Sequence, residues 1–154
     1  MMNPKYKFSE FICTVFYIGK FPVAPGTLGS LAALICWYLV KPNLTDPLFL
    51  LITGGIFFLG IVCSEIVVDF KKKKDPQFIV IDEWVGMWIG LYLVKHEVIW
   101  GLAAFFCFRI FDIFKPGPIG EMDKLNGGIG VMLDDVVAGI LTCLLMQSLY
   151  HLSF

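Results

Sequence analysis

The chain has 154 residues, of which 58% are hydrophobic and only 16% are charged, and its net charge is −1. Soluble domains average about 25% charged residues, so this chain has too little charge to cover a water-soluble globule, and its composition also excludes disorder, collagen and a coiled coil. With a single arginine and no basic excess, nucleic acid is excluded as a partner, which leaves an integral membrane protein of one domain.

The hydrophobic pattern predicts an all-α membrane bundle of about four to five spans, preceded by a short N-terminal interfacial helix. In chain order, the interfacial helix is expected over residues 8–18, and the spans over 28–40, 48–68, 78–94, 98–114 and 129–150. The second and fifth spans have about the 20 residues that a bilayer requires, and the third and fourth lie at the lower limit. The first stretch is too short to cross alone and would borrow length from the preceding loop or lie sheltered among other helices.

The distribution of charge predicts the orientation of the bundle. If the four lysines at 71–74 are cytoplasmic, alternating spans leave only Lys41 and Lys95, of twelve basic residues, on the opposite side. Of the thirteen acidic residues, only Asp46 and Glu97 fall there. The acids therefore accumulate on the lysine side, although the positive-inside rule does not require it.

Three of the predicted spans carry carboxylates at their cytoplasmic ends. These residues are Asp82, Glu83, Asp112, Asp134 and Asp135. A carboxylate at membrane depth costs several kcal/mol unless it is paired, protonated or bound to a metal. Oxygen ligands without His or Cys suit a hard cation such as Mg²⁺, so we expect one acidic, metal-binding layer. The alternative is that these acids reach headgroup water at the helix ends, and for Glu65 the two interpretations are weighted equally.

Two glycine-rich loops lie on the same side as the acids. Residues 19–30 place Lys20, Thr27 and Ser30 just before a predicted helix, whose first N–H groups favour a phosphate. Residues 115–130 begin with Lys115 and end in glycines that permit close backbone approach just before Asp134. Loops rich in glycine and proline often serve only to reverse the chain, so their composition alone does not establish phosphate binding.

Three stretches in register resemble the phosphatidylglycerophosphatase A family. They are Pro-x-Ala-Pro-Gly-Thr-x-Gly-Ser at 22–30, Ile-Asp-Glu-x-x-Gly-Met at 81–87, and Phe-Asp-x-x-Lys-Pro-x-Pro at 111–118 continuing to Gly-Gly-x-Gly-x-Met-Leu-Asp-Asp-x-x-Ala-Gly at 127–139. The resemblance covers about residues 19–139. It implies an all-helical, Mg²⁺-dependent lipid phosphatase that converts phosphatidylglycerophosphate into phosphatidylglycerol and phosphate, and it maps the family's acids onto the five carboxylates named above.

The resemblance and the residue chemistry together suggest a role for each candidate. We expect one or two Mg²⁺ ions held by Asp82, Glu83, Asp134 and Asp135. Asp112 would be a further ligand or the general base. The expected phosphate-binding residues are Lys20, Arg109 and Lys115, with hydrogen bonds from Thr27 and Ser30. Arg109 is weighted equally as a structural partner of Asp112, three residues away on the same helix face. The substrate would be a phospholipid in the bacterial cytoplasmic membrane, reached from the cytoplasmic side.

Other phosphatase chemistries lack their residues in this chain. No cysteine precedes the arginine at the Cys-x5-Arg spacing, no Asp-x-Asp occurs, and both histidines, His96 and His151, are assigned to the opposite side. Metal-assisted hydrolysis by carboxylates is the phosphatase chemistry that the residues of this chain still allow. A CDP-alcohol phosphotransferase is disfavoured because its long acidic motif is absent. The remaining alternative is a small membrane carrier or proton relay, which would spread its ionisable groups along a path through the bilayer rather than at one end.

Overall fold

A computed structural model describes residues 3–152, and within them it contains helices and turns but no strand. The α-helices are α1 Pro4–Cys13, α2 Pro25–Val40, α3 Asp46–Lys71, α4 Ile81–Gly90, α5 Val98–Phe114, α6 Pro118–Met122 and α7 Gly127–Leu152. Single 3₁₀ turns follow α1 and α2, at Ile18–Lys20 and Lys41–Asn43. The predicted all-α fold is therefore confirmed.

Two helices, α3 and α7, are long and apolar enough to cross a membrane by length and composition. Each has 26 residues, a length of about 39 Å against a hydrocarbon core of about 30 Å. In the most apolar stretch of α3 only 28% of the residues are buried, and large side chains such as Leu51 and Phe58 point outwards. A helix with this much exposed apolar surface is unlike the core helix of a soluble protein, and the protein is membrane-associated.

The expected third span, residues 78–94, contains a much shorter helix. α4 has ten residues and a length of about 15 Å, so it does not cross a bilayer as one helix. Its apolar side chains are largely buried in the protein, among them Val85, Met87 and Trp88. Hydropathy alone does not separate a helix buried in protein from one that faces lipid, which is why the sequence overestimated its length.

The other predicted elements differ from the structure mainly at their ends. α2 begins at Pro25 and reaches 16 residues, since proline is favoured at the first position of a helix. α5 has the 17 residues expected. α1 ends at Cys13, earlier than predicted, because Val15, Phe16 and Tyr17 have positive φ angles that a helix cannot contain. The interfacial location of this helix stays a prediction.

α4 and α7 cross in backbone contact. A Cβ atom built on Gly86 would lie 2.5 Å from the carbonyl oxygen of Asp135, and one on Gly139 would lie 2.3 Å from that of Gly86. One turn further along, Gly90 faces the side chain of Thr142 at 3.1 Å. Gly86 and Gly90 thus form a small-xxx-small pattern on α4 that lets the two helices approach closely. This crossing brings the start of α4 beside Asp135.

The start of α7 is held by α3. The Gly128 N–H donates to the carboxylate of Glu65, and a Cβ on Gly127, whose φ is +76°, would lie 2.5 Å from the same carboxylate. A Cβ on Gly128 would lie 2.2 Å from the carbonyl oxygen of Ile61. Glu65 therefore caps the start of α7, and these two glycines are required for close approach to α3.

Candidate active site

At one end of the bundle, the starts of α2, α4 and α7 meet the end of α5 around a cleft of about 360 Å³, which we call the acidic cleft. All five carboxylates that the sequence singled out line it: Asp82, Glu83, Asp112, Asp134 and Asp135. The helices run in alternating directions, and each places its acids at this same end. The structure thus brings the expected layer together in one cleft.

Three of these carboxylates converge closely enough to share a cation. One oxygen each from Asp82, Glu83 and Asp135 lies within 4.8 Å of the others. Two oxygens bound to one Mg²⁺ are at most about 4.2 Å apart, since each lies about 2.1 Å from the ion, so small side-chain rotations suffice. Glu83 Oε2 and Asp135 Oδ1 are buried and accept no hydrogen bond from the described residues. Buried carboxylate oxygens without donors fit a divalent cation with oxygen ligands.

Asp134 lies apart from this group of three and is bound to Lys115. Lys115 Nζ donates to Asp134 Oδ2 at 2.6 Å and also forms an ion pair with Asp123. Burial lowers the pKa of Lys115, but the hydrogen bonds to Asp123 and Asp134 outweigh it and raise the pKa above its usual value. The ammonium group that was expected to bind substrate phosphate therefore neutralises a carboxylate in this structure.

Arg109 connects three elements at the wall of the acidic cleft. Its Nη1 lies 2.6 Å from Asp112 Oδ2 and 3.9 Å from Glu83 Oε1. The same nitrogen donates to Ser30 Oγ at 3.2 Å, and the Ser30 hydroxyl donates to the Gly26 carbonyl oxygen at 2.9 Å. Ser30 is fully buried, so it holds Arg109 in place rather than facing the cleft. Thr27, also at the start of α2, does line the cleft.

Lys20 is not brought to the acids. Its Nζ pairs with Glu10 Oε2 of α1 at 3.0 Å, and the residue lines a neighbouring cleft together with Lys71 and Lys73. The structure therefore separates Lys20 from Arg109 and Lys115, with which the sequence grouped it.

Among the residues that line the acidic cleft, Gly26, Asp75 and Gln77 were given no role by sequence reasoning. A Cβ on Gly26 would lie 2.0 Å from Glu83 Oε1, so this glycine makes room for the carboxylate. Its place within the Pro-Gly-Thr motif was an available signal. Asp75 and Gln77 follow four lysines in a stretch that looks like a solvated loop, and nothing in the local sequence sets them apart.

The family profile of phosphatidylglycerophosphatase A matches residues 11–150. The chain belongs to this family. Phosphatidylglycerophosphatase A of Haemophilus influenzae is 37% identical over 97% of this chain and 96% of its own length, and that of Escherichia coli is 38% identical over 88% and 80%. A putative phosphatidylinositol-3-phosphatase of Bacteroides thetaiotaomicron is 39% identical over 88% and 89%. No solved structure matches the chain. The resemblance drawn from the motifs is confirmed.

Proposed function

We propose that this protein is a Mg²⁺-dependent phosphatase that hydrolyses phosphatidylglycerophosphate to phosphatidylglycerol and phosphate at the cytoplasmic face of a bacterial membrane. The observation that carries the proposal is the convergence of Asp82, Glu83 and Asp135 within 4.8 Å in a family of phosphatidylglycerophosphatases. The buried oxygens of Glu83 and Asp135 that lack hydrogen-bond donors suit a cation, and phosphate ester hydrolysis is a reaction in which such a cation is useful.

Each residue of the acidic cleft has a separate role in the proposed hydrolysis. Asp82, Glu83 and Asp135 would hold the ion, and Asp134, which pairs with Lys115 in this structure, would be a further ligand. When bound, Mg²⁺ neutralises the charge on the phosphate oxygens and on the leaving group. Asp112 accepts a proton from the attacking water, while Arg109 orients Asp112 and contacts the phosphate. Water adds to phosphorus, the bond to the glycerol oxygen breaks, and that oxygen takes up a proton to become the alcohol of the product.

The membrane arrangement we propose is multi-pass. α2, α3, α5 and α7 cross the bilayer, and residues 78–94 carry the chain across between α3 and α5, with the acidic start of the short α4 below the membrane surface. Tyr38 near the end of α2 donates to the Glu97 carbonyl oxygen, and Gln147 near the end of α7 donates to that of Leu93. These contacts gather the opposite helix ends far from the acids. The substrate headgroup would enter the acidic cleft from the cytoplasmic leaflet.

The direct experiment is phosphate release from phosphatidylglycerophosphate by the purified protein in detergent, with Mg²⁺ and with a chelator. We expect release only with Mg²⁺. Asp135→Asn keeps the shape of the side chain but removes an anionic ligand, and we expect at least a 100-fold loss of kcat in a protein that still folds. Asp82→Asn is expected to behave alike. Full activity with chelator, or in both variants, would contradict the proposal.

A second substrate deserves the same assay because the Bacteroides relative is described as a putative phosphatidylinositol-3-phosphatase. Phosphatidylinositol 3-phosphate also presents a phosphate monoester beyond a phosphodiester. We expect it to be hydrolysed more slowly than phosphatidylglycerophosphate, and the ratio of kcat/KM values decides between the two. The carrier alternative is less favoured, since the five carboxylates gather at one end rather than along a path.

A further inference from the structure

A second cleft, of about 410 Å³, adjoins the acidic cleft and has the opposite charge. The two clefts share Pro25 and Gln77 as lining residues, so one opens beside the other. The second is lined by Lys20, Lys71 and Lys73, and we call it the basic cleft. Its position beside a site proposed to hold a phosphate monoester suggests that it receives another part of the same ligand.

The charges of the basic cleft are only partly neutralised. Lys20 pairs with Glu10 at 3.0 Å, whereas Lys73 forms no ion pair within residues 3–152. Burial raises the pKa of Glu10, but hydrogen bonds from Lys20 and Tyr6 outweigh it and the pKa is lowered, so Glu10 stays ionised. The cleft thus carries three ammonium groups against the carboxylate of Glu10, with Asp75 near enough to Lys73 to interact with it electrostatically. The cleft has an excess of positive charge that suits an anion.

Lys71 is held in a defined place at the end of α3. Its ammonium group lies 5.7 Å from the ring centroids of both Tyr6 and Phe78, over their faces. Such cation–π contacts fix a side chain that would otherwise move freely. The basic cleft is therefore a built feature of the junction between α1, α3 and the segment before α4, rather than a chance group of surface lysines.

The rim of the basic cleft is apolar beside Lys20. Phe21 lines the cleft and is 61% exposed, and Val23 beside it is 70% exposed. The ring of Tyr17, whose centroid lies 4.9 Å from Lys20 Nζ, is also exposed. Aromatic side chains of this kind favour the membrane interface. If a lipid headgroup occupied the two clefts, the rest of that lipid would extend along this rim towards the bilayer.

Resting on the proposed function, we infer that the basic cleft binds the phosphodiester of the lipid substrate through Lys71 and Lys73 while the acidic cleft holds the terminal monoester. The substrate carries two phosphates joined by one glycerol. Only the monoester is hydrolysed, and it needs the metal site. The diester bears one negative charge, for which lysines acting as point charges are sufficient. Opposite charge in adjoining clefts thus sets which phosphate enters which cleft.

The test compares the double variant K71Q/K73Q with wild type in neutral detergent micelles, with short-chain phosphatidylglycerophosphate as substrate. We expect KM to rise about tenfold, since charge-assisted hydrogen bonds are lost, while kcat changes less than about twofold. K71R/K73R restores the charges and is expected to restore KM. Lys72→Gln is the matched control, because it removes the adjacent lysine charge without altering the lining of the cleft.

The two products separate the two clefts as inhibitors. Phosphatidylglycerol has only the diester, so we expect its inhibition to weaken about tenfold in K71Q/K73Q. Inorganic phosphate resembles the monoester, and its inhibition is expected to remain unchanged. Equal weakening of both would indicate general electrostatic attraction and overturn the inference. An effect that appears only in micelles doped with anionic lipid would assign the cleft to a neighbouring lipid headgroup and also overturn it.

Binding without turnover distinguishes this inference from the proposed function. Phosphatidylglycerol binding to the wild-type protein is measured by tryptophan fluorescence in the same micelles. Binding that requires Lys71 and Lys73, in a protein that releases no phosphate, would support the diester site and overturn the proposed reaction. Phosphate release that is independent of both lysines, with unaltered KM, would support the reaction and overturn the diester site.

Discussion

The ammonium group of Lys115 lies between two carboxylates, Asp123 and Asp134, at the edge of the acidic cleft. The Asp134 side chain is only 10% exposed, and its second oxygen has no hydrogen-bond partner among the described residues. Lys115 therefore sets how much negative charge the cleft presents to a cation. A divalent ion and Lys115 would compete for Asp134.

Replacing Lys115 by Met tests this competition. We expect Lys115→Met to lower the Mg²⁺ concentration for half-maximal activity, because Asp134 is released. Without Mg²⁺, the free energy of unfolding should fall by about 3 kcal/mol, the cost of leaving a buried charge unpaired. Lys124→Met is the control, since its pair with Glu121 is exposed and contributes at most about 1 kcal/mol. An unchanged Mg²⁺ requirement together with a raised KM would instead indicate that Lys115 binds the substrate phosphate.

Gly26 leaves room for the Glu83 carboxylate at the start of α2. Gly26 is the second residue of α2, where alanine is also compatible with a helix, yet the Cβ added by Gly26→Ala would meet Glu83 Oε1 at 2.0 Å and displace it. We expect a variant of unchanged or higher thermal stability whose kcat falls at least tenfold. Gly55→Ala is the matched control, because nothing lies within 4 Å of the added Cβ there. Normal turnover in Gly26→Ala would show that the position of Glu83 is not critical.

At the scale of the helices, the close crossing of α4 and α7 is what brings Asp82 and Glu83 to Asp135. Contact of this kind requires small residues at Gly86 and Gly139. Where these carboxylates are ionised, they repel one another. Packing of the two helices therefore opposes the repulsion of the carboxylates when no cation is bound.

Gly139→Ala separates these two helices. The added Cβ would lie 2.3 Å from the carbonyl oxygen of Gly86, which is backbone and cannot rotate away. We expect a loss of about 1–3 kcal/mol in the free energy of unfolding, typical of overpacking, and weaker Mg²⁺ activation, because Asp135 moves from Asp82 and Glu83. Unfolding in detergent and Mg²⁺ titration of activity measure the two effects. Wild-type values of both would mean that the crossing does not set the site.

The elements that sequence could predict are those whose hydrophobic pattern has one explanation. α3, α5 and α7 follow their apolar stretches, and the five carboxylates meet because alternating helices carry them at one end. The length of α4 could not be predicted, since burial in protein and burial in lipid give the same pattern. The partners of Lys20 and Lys115 also depend on tertiary contacts with Glu10, Asp123 and Asp134.

At the scale of the whole molecule, the bundle has two chemically different ends. The acidic and basic clefts lie at one end, and the segment between α4 and α5 lies at the other, where His96 Nε2 hydrogen-bonds to the Tyr38 carbonyl oxygen. The positive-inside rule predicts that the lysine-rich end lies in the cytoplasm. In that orientation residues 78–94 would carry the chain from one side of the membrane to the other, although α4 itself is short.

Single cysteines at Lys72 and Glu97, both exposed and at opposite ends, test this orientation. We expect an impermeant maleimide to label Glu97→Cys in intact cells and Lys72→Cys only after the membrane is opened. The native chain is the control, because its five cysteines are buried or half-buried thiols. The reverse pattern would put both clefts on the outer face and contradict a cytoplasmic active site. Labelling of both positions from outside would show that residues 78–94 turn back within the membrane. The chain would then cross the bilayer with four helices, and α4 would not be part of any crossing.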